Sequence, residues 1–191
     1  MRDISIVIVG VGGQGTLLAS RILGALALKL GLDVKVSEVH GMAQRGGSVV
    51  TFVRMGKQIM SPLVEAGGAD YLLAFELMEA ARAVYYLKHG GVMLLNTQRI
   101  PPMPVVLGNA QYPEGLLDDL KGRCTMRFTD ALTLAVEAGD ARAVNLVLLG
   151  MLAAQMEVDQ SLWIEAITDC VKPATLPANV RAFERGFLLT Q

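Results

Sequence analysis

Eleven residues early in the chain hold most of its chemistry: Glu38-Val39-His40-Gly41-Met42-Ala43-Gln44-Arg45-Gly46-Gly47-Ser48. They combine one carboxylate, one imidazole, one carboxamide, one guanidinium and three glycines. Gln44 and Arg45 present planar heads with several donors, suited to a carboxylate, a phosphate or another chain. Gly41, Gly46 and Gly47 permit left-handed backbone or a close approach that a Cβ would block. Upstream lies a second loop of this kind, Gly10-Val11-Gly12-Gly13-Gln14-Gly15. Amides at the start of a following helix would suit an anion there. Two such loops at the ends of consecutive strands point to one site or one interface.

The elements around the loops follow from hydrophobic pattern. Ile4 to Val9 is a continuous β-rich run, expected of a strand buried on both faces. Leu17, Leu18, Ile22, Leu26 and Leu30 recur at near-helical spacing, with Gly31 as the stop. Asp33 to Val39 reads as the second strand, completing a βαβ unit. Ser48 to Met55 and Gln58 to Met60, split by Gly56-Lys57, read as a β-hairpin. Ala69 to Phe75 is a further buried strand, Glu76 to Leu87 a helix, and Val92 to Leu95 a short strand. Ile100-Pro101-Pro102-Met103-Pro104 is a stiff extended connector, because consecutive prolines favour polyproline II. Val105 to Leu107 and Thr125 to Phe128 are candidate edge strands. Helices are expected over 130–137, 141–156 and 161–171, with a last one running from beyond Pro177 to about 189. The fold class is therefore α/β: a Rossmann-like, mostly parallel sheet with a β-hairpin insertion and a C-terminal helical segment.

Each side chain has a plain reading beside the sharp one. Gly10-x-Gly12-x-x-Gly15 matches the dinucleotide fingerprint, and Glu38 stands 23 residues after Gly15, near the place of a ribose-binding acid. Gly13-Gln14 has no role in that fingerprint, and the second strand runs straight into the His/Arg loop instead of a helix. The pattern also recurs in Rossmann-like domains that bind nothing. His40 is a turn residue or a ligand contact. Glu38 orders the loop by accepting from its amides, or binds a ribose. Glu76 ends a strand where open α/β sheets place ligands, or pairs with Arg82. Asn145, inside a long apolar run, reads as a buried structural hydrogen-bonder.

Composition excludes several classes. The 191 residues suffice for one domain with a substantial core. Only 18% are charged, against roughly 25% in soluble domains, and ten are Met. That balance fits a surface covered by a partner, or a core rich in Ala and Leu. A net charge of −1 without a basic cluster argues against nucleic-acid binding. No apolar run reaches the roughly 20 residues of a membrane span, and no signal peptide opens the chain, so a cytoplasmic protein is expected. Cys124 and Cys170 lack metal-ligand spacing and are expected to be free thiols. Iron–sulfur clusters take about four cysteines, so this chain alone cannot hold one. No metal site is expected.

The two loops carry a resemblance. The chain resembles the gamma-type subunits of the 2-oxoacid:ferredoxin oxidoreductases, in particular the beta subunits of indolepyruvate ferredoxin oxidoreductase. The carrying motifs are Gly10-x-Gly12-Gly13-Gln14-Gly15 and Glu38-x-His40-Gly-Met-Ala-Gln44-Arg45-Gly46-Gly47-Ser48, then Arg54, Ser61-Pro62 and Ala69-Asp70. Glu76-x-x-Glu79-Ala80-x-Arg82, Asn96-Thr97, Asn145-x-x-Leu148-Leu149-Gly150 and Asn179-x-x-Ala182-Phe183-x-x-Gly186 continue it. One departure is Leu77, where the resemblance leads one to expect proline at the helix start.

The resemblance implies a single gamma-type domain over residues 1–191. It implies CoA-dependent oxidative decarboxylation of an aryl-2-oxo acid, carried out with a larger alpha subunit. Thiamine diphosphate, Mg and iron–sulfur clusters would belong to that partner, CoA would be the co-substrate and ferredoxin the acceptor. This chain would carry no catalytic residue of its own and would be inactive alone. Gly12, Gly13, Gln14, Gly15, Glu38, His40, Gln44, Arg45, Gly46, Gly47 and Ser48 would bind cofactor or face the partner. A homodimer of the isolated chain is compatible with such a bare surface. The contrasting reading is a free-standing Rossmann-like enzyme using NAD(P) or a flavin.

Overall fold

A computed structural model describes residues 3–41 and 46–189, the His40 side chain excepted. Six strands form one sheet: β1 (Ile4–Val11), β2 (Asp33–His40), β3 (Ser48–Gly56), β4 (Ala69–Ala74), β5 (Leu87–Asn96) and β6 (Thr125–Thr129). The helices are α1 (Thr16–Lys29), α2 (Leu77–Ala83), α3 (Met103–Val106), α4 (Leu116–Lys121), α5 (Ala131–Ala138), α6 (Val144–Ala153), α7 (Gln160–Cys170) and α8 (Leu176–Leu188). The strand order is β2-β3-β1-β4-β5-β6. β1, β4, β5 and β6 are parallel. β3 runs antiparallel to both β1 and β2, so β2 points the same way as β1.

Side-chain alternation along the central strands splits the core in two. Ile6 and Ile8 of β1, Leu73 of β4 and Leu94 of β5 face a layer built by α1 and α5–α8. Val7, Val9, Leu72, Met93 and Leu95 face the layer of α2 and α4. Both sides of these strands are covered, which explains the apolar runs Ile6–Val9, Leu72–Phe75 and Val92–Leu95. α6 is buried at every position from Val144 to Ala153, being enclosed between the sheet and α8. Gly150 and Gly186 let those two helices touch backbone to backbone. A Cβ on Gly150 would overlap the Phe183 carbonyl, and one on Gly186 the Val147 carbonyl.

Three expectations need correcting. Ser48–Gly56 does not fold back on 58–60, a segment without strand structure; it pairs with β2 and β1. The hairpin is therefore β2–β3, with the His/Arg loop as its turn. Packing decides this: Val53 and Met55 belong under α1, and only a long strand between β1 and β2 places them there. Residues 105–107 are not a strand. Pro102 precedes the helical turn α3, where Pro104 sits in the first turn and needs no amide partner. The helix after Glu76 stops at Ala83, passes through a 3-10 turn at Val84–Tyr86, and β5 starts already at Leu87.

Candidate functional site

The antiparallel placement of β3 sets the two glycine loops side by side. Val11 pairs with Ser48 and Gly10 with Val49 at the last rungs of the β1–β3 ladder. Beyond the ladder, the Gly12 N–H donates to the Gly47 carbonyl at 2.9 Å. Gly41 N–H donates to the Ser48 carbonyl at 3.1 Å and closes the base of the hairpin turn. Gly46, with φ +78°, occupies the left-handed region just before β3. The described ends of the two loops thus lie side by side. Gln44 and Arg45 lie outside the described residues.

Gln14 is the internal brace of the first loop. Its Oε1 accepts the Val11 N–H at 2.8 Å. Its Nε2 donates to the Phe75 carbonyl at 2.9 Å and to Gln98 Oε1 at 3.3 Å. The loop is thereby fastened to the ends of β4 and β5. Asn96 Nδ2 also donates to the Phe75 carbonyl, at 3.0 Å, and its Oδ1 accepts the Ala131 N–H at the start of α5. Gly10 has no room for a side chain, because a Cβ would lie 2.9 Å from Gln14 Oε1 and 3.1 Å from Phe75 Cβ.

α1 starts at Gly15, which is left-handed with φ +85°. Asn145 closes over it, donating from Nδ2 to the Gly15 carbonyl at 3.2 Å. The expected structural role of Asn145 holds. Three amides of the loop are already committed: Val11 to Gln14 Oε1, Gly12 to the Gly47 carbonyl, and Gln14 to the Val11 carbonyl at 3.1 Å. Gly13 stands exposed. The cleft beside Gly13 and Gln14, lined also by Gln98, Ile100, Leu132 and Arg142, holds about 190 Å³. That is below the roughly 300–1,000 Å³ of small-molecule sites.

Glu38 lies one strand further out than a ribose-binding acid would. It pairs with Thr51 across β2–β3, and Thr51 Oγ1 donates to its carboxylate at 2.8 Å. β3 separates β2 from β1, so Glu38 is two strand spacings, about 10 Å, from the strand that carries Gly10–Gly15. The dinucleotide geometry is not assembled. Sequence spacing alone could not show this, because it is blind to a strand inserted between the two.

Ser48 and Glu79 tie the second loop to α2. The Ser48 hydroxyl donates to Oε2 of the buried Glu79, and Arg82 Nη1 donates to its Oε1 at 2.7 Å. Arg82 therefore pairs with Glu79 and not with Glu76. Glu76 is fully buried, at 0% exposure, and caps α2 by accepting the Glu79 N–H at 2.9 Å. Its Oε1 accepts the Ile100 N–H at 3.1 Å and the Tyr112 hydroxyl at 2.5 Å. Burial, then the neighbouring Glu76 carboxylate, pushes the Tyr112 phenol well above its ordinary range. Arg99 lies over the Tyr112 ring, 5.7 Å from its centroid. Sequence reading missed Tyr112 altogether. The Glu76-x-x-Glu79 spacing did carry a signal, being that of an N-cap and its third helical residue.

Cys124 and Cys170 are free thiols, as expected. They pack on opposite layers of the sheet, and burial pushes both up in pKa. Neither is poised as a thiolate ligand, and no group of three metal-ligating side chains occurs among the described residues. An iron–sulfur cluster does not fit this donor set. No helix among the described residues is long and apolar enough to cross a membrane.

Comparison with known proteins agrees with this geometry. The family model for pyruvate ferredoxin/flavodoxin oxidoreductase matches residues 5–189. Indolepyruvate oxidoreductase subunit IorB of Thermococcus kodakarensis is 44% identical, with 97% of this chain and 95% of the relative covered. Its counterpart from Pyrococcus horikoshii is 41% identical, over 97% and 95%. The crystal structure of a keto/oxoacid ferredoxin oxidoreductase gamma subunit from Geobacter sulfurreducens superposes with a TM-score of 0.73. It is 25% identical and covers 98% of both chains. With a family match over residues 5–189, whole-length relatives above 40% identity and a gamma-subunit structure superposing over 98% of the chain, the chain belongs to the pyruvate ferredoxin/flavodoxin oxidoreductase family, among the gamma-type subunits of 2-oxoacid oxidoreductase complexes.

Proposed function

We propose that this chain is the small subunit of an indolepyruvate:ferredoxin oxidoreductase and works as one gamma-type domain beside a larger alpha subunit. The observation that carries the reading is the whole-length likeness to IorB subunits, 44% identical over 97% of the chain. The reaction is R–CO–COO⁻ + CoA–SH → R–CO–S–CoA + CO₂ + H⁺ + 2 e⁻, with R–CO–COO⁻ an aryl-2-oxo acid. The two electrons pass to ferredoxin. Thiamine diphosphate with Mg supplies the carbanion chemistry and iron–sulfur clusters the electron path, both held by the alpha subunit. The two separated cysteines of this chain support that division of labour.

The chain's own contribution is to position and to cover. Gly12, Gly13, Gln14 and Gly15, with Glu38, His40, Gln44, Arg45, Gly46, Gly47 and Ser48, form the surface that faces the partner near its active site. The Gln14 and Ser48 side chains also fasten the two loops, to the Phe75 carbonyl and to Glu79. Arg45 presents a planar fork to a phosphate or carboxylate, with CoA the natural donor of the former. Gly13, exposed at the loop tip, leaves room for close backbone approach. The complex acts in the cytoplasm, and the chain without its partner is inactive. A free-standing NAD(P) or flavin enzyme is disfavoured by the displaced Glu38 and the small cleft beside Gly13.

The test is co-expression with a candidate alpha subunit, followed by CoA-dependent reduction of a viologen dye by indolepyruvate. Activity that requires both chains supports the reading. A partner fully active alone, or wild-type chains that do not associate, overturns it. Purifying the isolated chain by size exclusion also shows whether its bare surface is covered by a second copy.

A further inference from the structure

Arg54 and Ser61-Pro62 stand out in the sequence, yet the paired glycine loops give them no role. Both lie at the opposite end of the sheet. Arg54 sits between Ser5 of β1 and Lys35 of β2 in direct register. It floors a cleft of about 480 Å³ walled by Ser5, Ser61, Leu63, Val64, Glu65 and Gly68. Among the described residues its guanidinium donates to a neutral carbonyl, that of Ser61 at 3.2 Å, and is paired with no carboxylate. Neighbouring cations are already matched: Lys35 pairs with Asp33 at 2.8 Å, and Lys88 with Asp70. Arg54 is thus a half-buried guanidinium at an open cleft that pairs with no carboxylate among the described residues, although Glu65 lines the same cleft and Asp70 accepts the Ser5 N–H beside it at 2.8 Å.

The mouth of the cleft has the make-up of a protein interface. Leu63 on its wall is 58% exposed, and Met60, next to Ser61 in the chain, is 85% exposed. Leu63 is thus an exposed apolar side chain on the cleft wall beside the guanidinium, where a partner could cover both. Glu65, exposed on the same wall, is the second charge of the cleft lining.

We infer that the Arg54 cleft is a second docking point for the larger subunit, taking one Asp, Glu or chain-terminal carboxylate of that partner between Arg54, Ser5 and Ser61. This rests on the subunit reading above. It places a contact at the end of the sheet remote from the glycine loops, so the partner grips the domain at two ends.

The complex itself is the test. Wild-type, Arg54→Ala, Arg54→Lys and Leu63→Glu chains are paired with the alpha subunit, and affinity is measured at low and high salt. Thermal unfolding of each isolated chain checks that it is folded. Arg54→Ala is expected to weaken association by ~10-fold or more, equivalent to about 1.4 kcal/mol. Arg54→Lys, a charge without the planar fork, should recover only part of it. Leu63→Glu, an exposed change that leaves folding intact, should weaken association and do so most at low salt. Wild-type affinity in Arg54→Ala and Leu63→Glu overturns the inference while leaving the subunit reading standing. Failure of the wild-type chains to associate overturns both.

Discussion

Gly15 and Asn145 are matched across 130 residues: a Cβ on Gly15 would lie 2.7 Å from Asn145 Nδ2, which donates to the Gly15 carbonyl. Gly15→Ala therefore meets two penalties, a left-handed backbone and an occupied space. The expected cost is about 3 kcal/mol, of which the backbone accounts for roughly 1–2. Denaturant unfolding of Gly15→Ala, Asn145→Ala and the double variant separates the two. The double variant should be more stable than the sum of the singles predicts. Strict additivity would show that Asn145 is not what crowds Gly15.

The α6–α8 contact depends on Gly150 and Gly186 in the same way, with backbone as the obstacle. Gly186→Ala should cost about 3 kcal/mol and lower Tm by roughly 6–12 °C. An unchanged Tm would mean that the helices separate at little cost. Gly24, with nothing near its missing Cβ, is the control at which Ala should be tolerated or stabilising.

Tyr112 gives the protein an alkaline limit. Its pKa is raised in the folded state by burial and by Glu76, so the unfolded chain loses the proton first as pH rises. The stability it contributes is fully present below about pH 10 and is lost above it. Tm should fall through that window, and less steeply in Tyr112→Phe. Phenolate absorbance gives a second check. Tyr86, whose hydrogen bond with Tyr85 and burial raise it to about 12, should titrate late together with Tyr112.

Gln14 separates bracing from catalysis. Gln14→Glu keeps the acceptor for Val11 but turns an oxygen toward the Phe75 carbonyl, costing about 1–3 kcal/mol of stability. Because the first loop then moves, turnover of the assembled complex should fall. Normal turnover with lowered Tm would show the loop to be a structural brace only.

Arg45→Ala should leave assembly and Tm unchanged and reduce turnover of the complex by ~10-fold or more, about 1.4 kcal/mol on the barrier. Full turnover would remove Arg45 from the working surface. Weakened assembly with normal turnover per complex would make it a docking residue instead.

Much of this was readable in the chain itself. The runs Ile6–Val9 and Leu72–Phe75 are apolar because both faces are covered; among the C-terminal helices, α6 is marked by a continuous apolar run, α7 by its Asp159 cap and α8 by its amphipathic pattern. The partners of strands were less readable. Ser48–Gly56 has an apolar pattern that suits either a local turn at Gly56 or the long pairing with β1, and only the burial of Val53 and Met55 chooses. Residues 103–106 became helical because Pro102 and Pro104 fit a first turn as well as an extended chain. In the site, Gln14 was conspicuous by type but its partners were not. The Phe75 carbonyl and Gln98 come to it from 61 and 84 residues away. The same holds for Tyr112 and Glu76, 36 residues apart and joined only by the crossing of the segment after β5.

The insertion of β3 between β1 and β2 constrains how this family can diversify. Both stems of the His/Arg loop are locked in ladders, and β3 is locked on two sides. A residue gained or lost cannot be absorbed by sliding a strand, since one step would exchange Val53 and Met55, packed under α1, with Phe52, packed in the other layer. Any change of loop length must therefore be taken up within the loop itself, between the two fixed strand ends. New specificity on this scaffold is expected to arise by exchanging side chains at constant loop length.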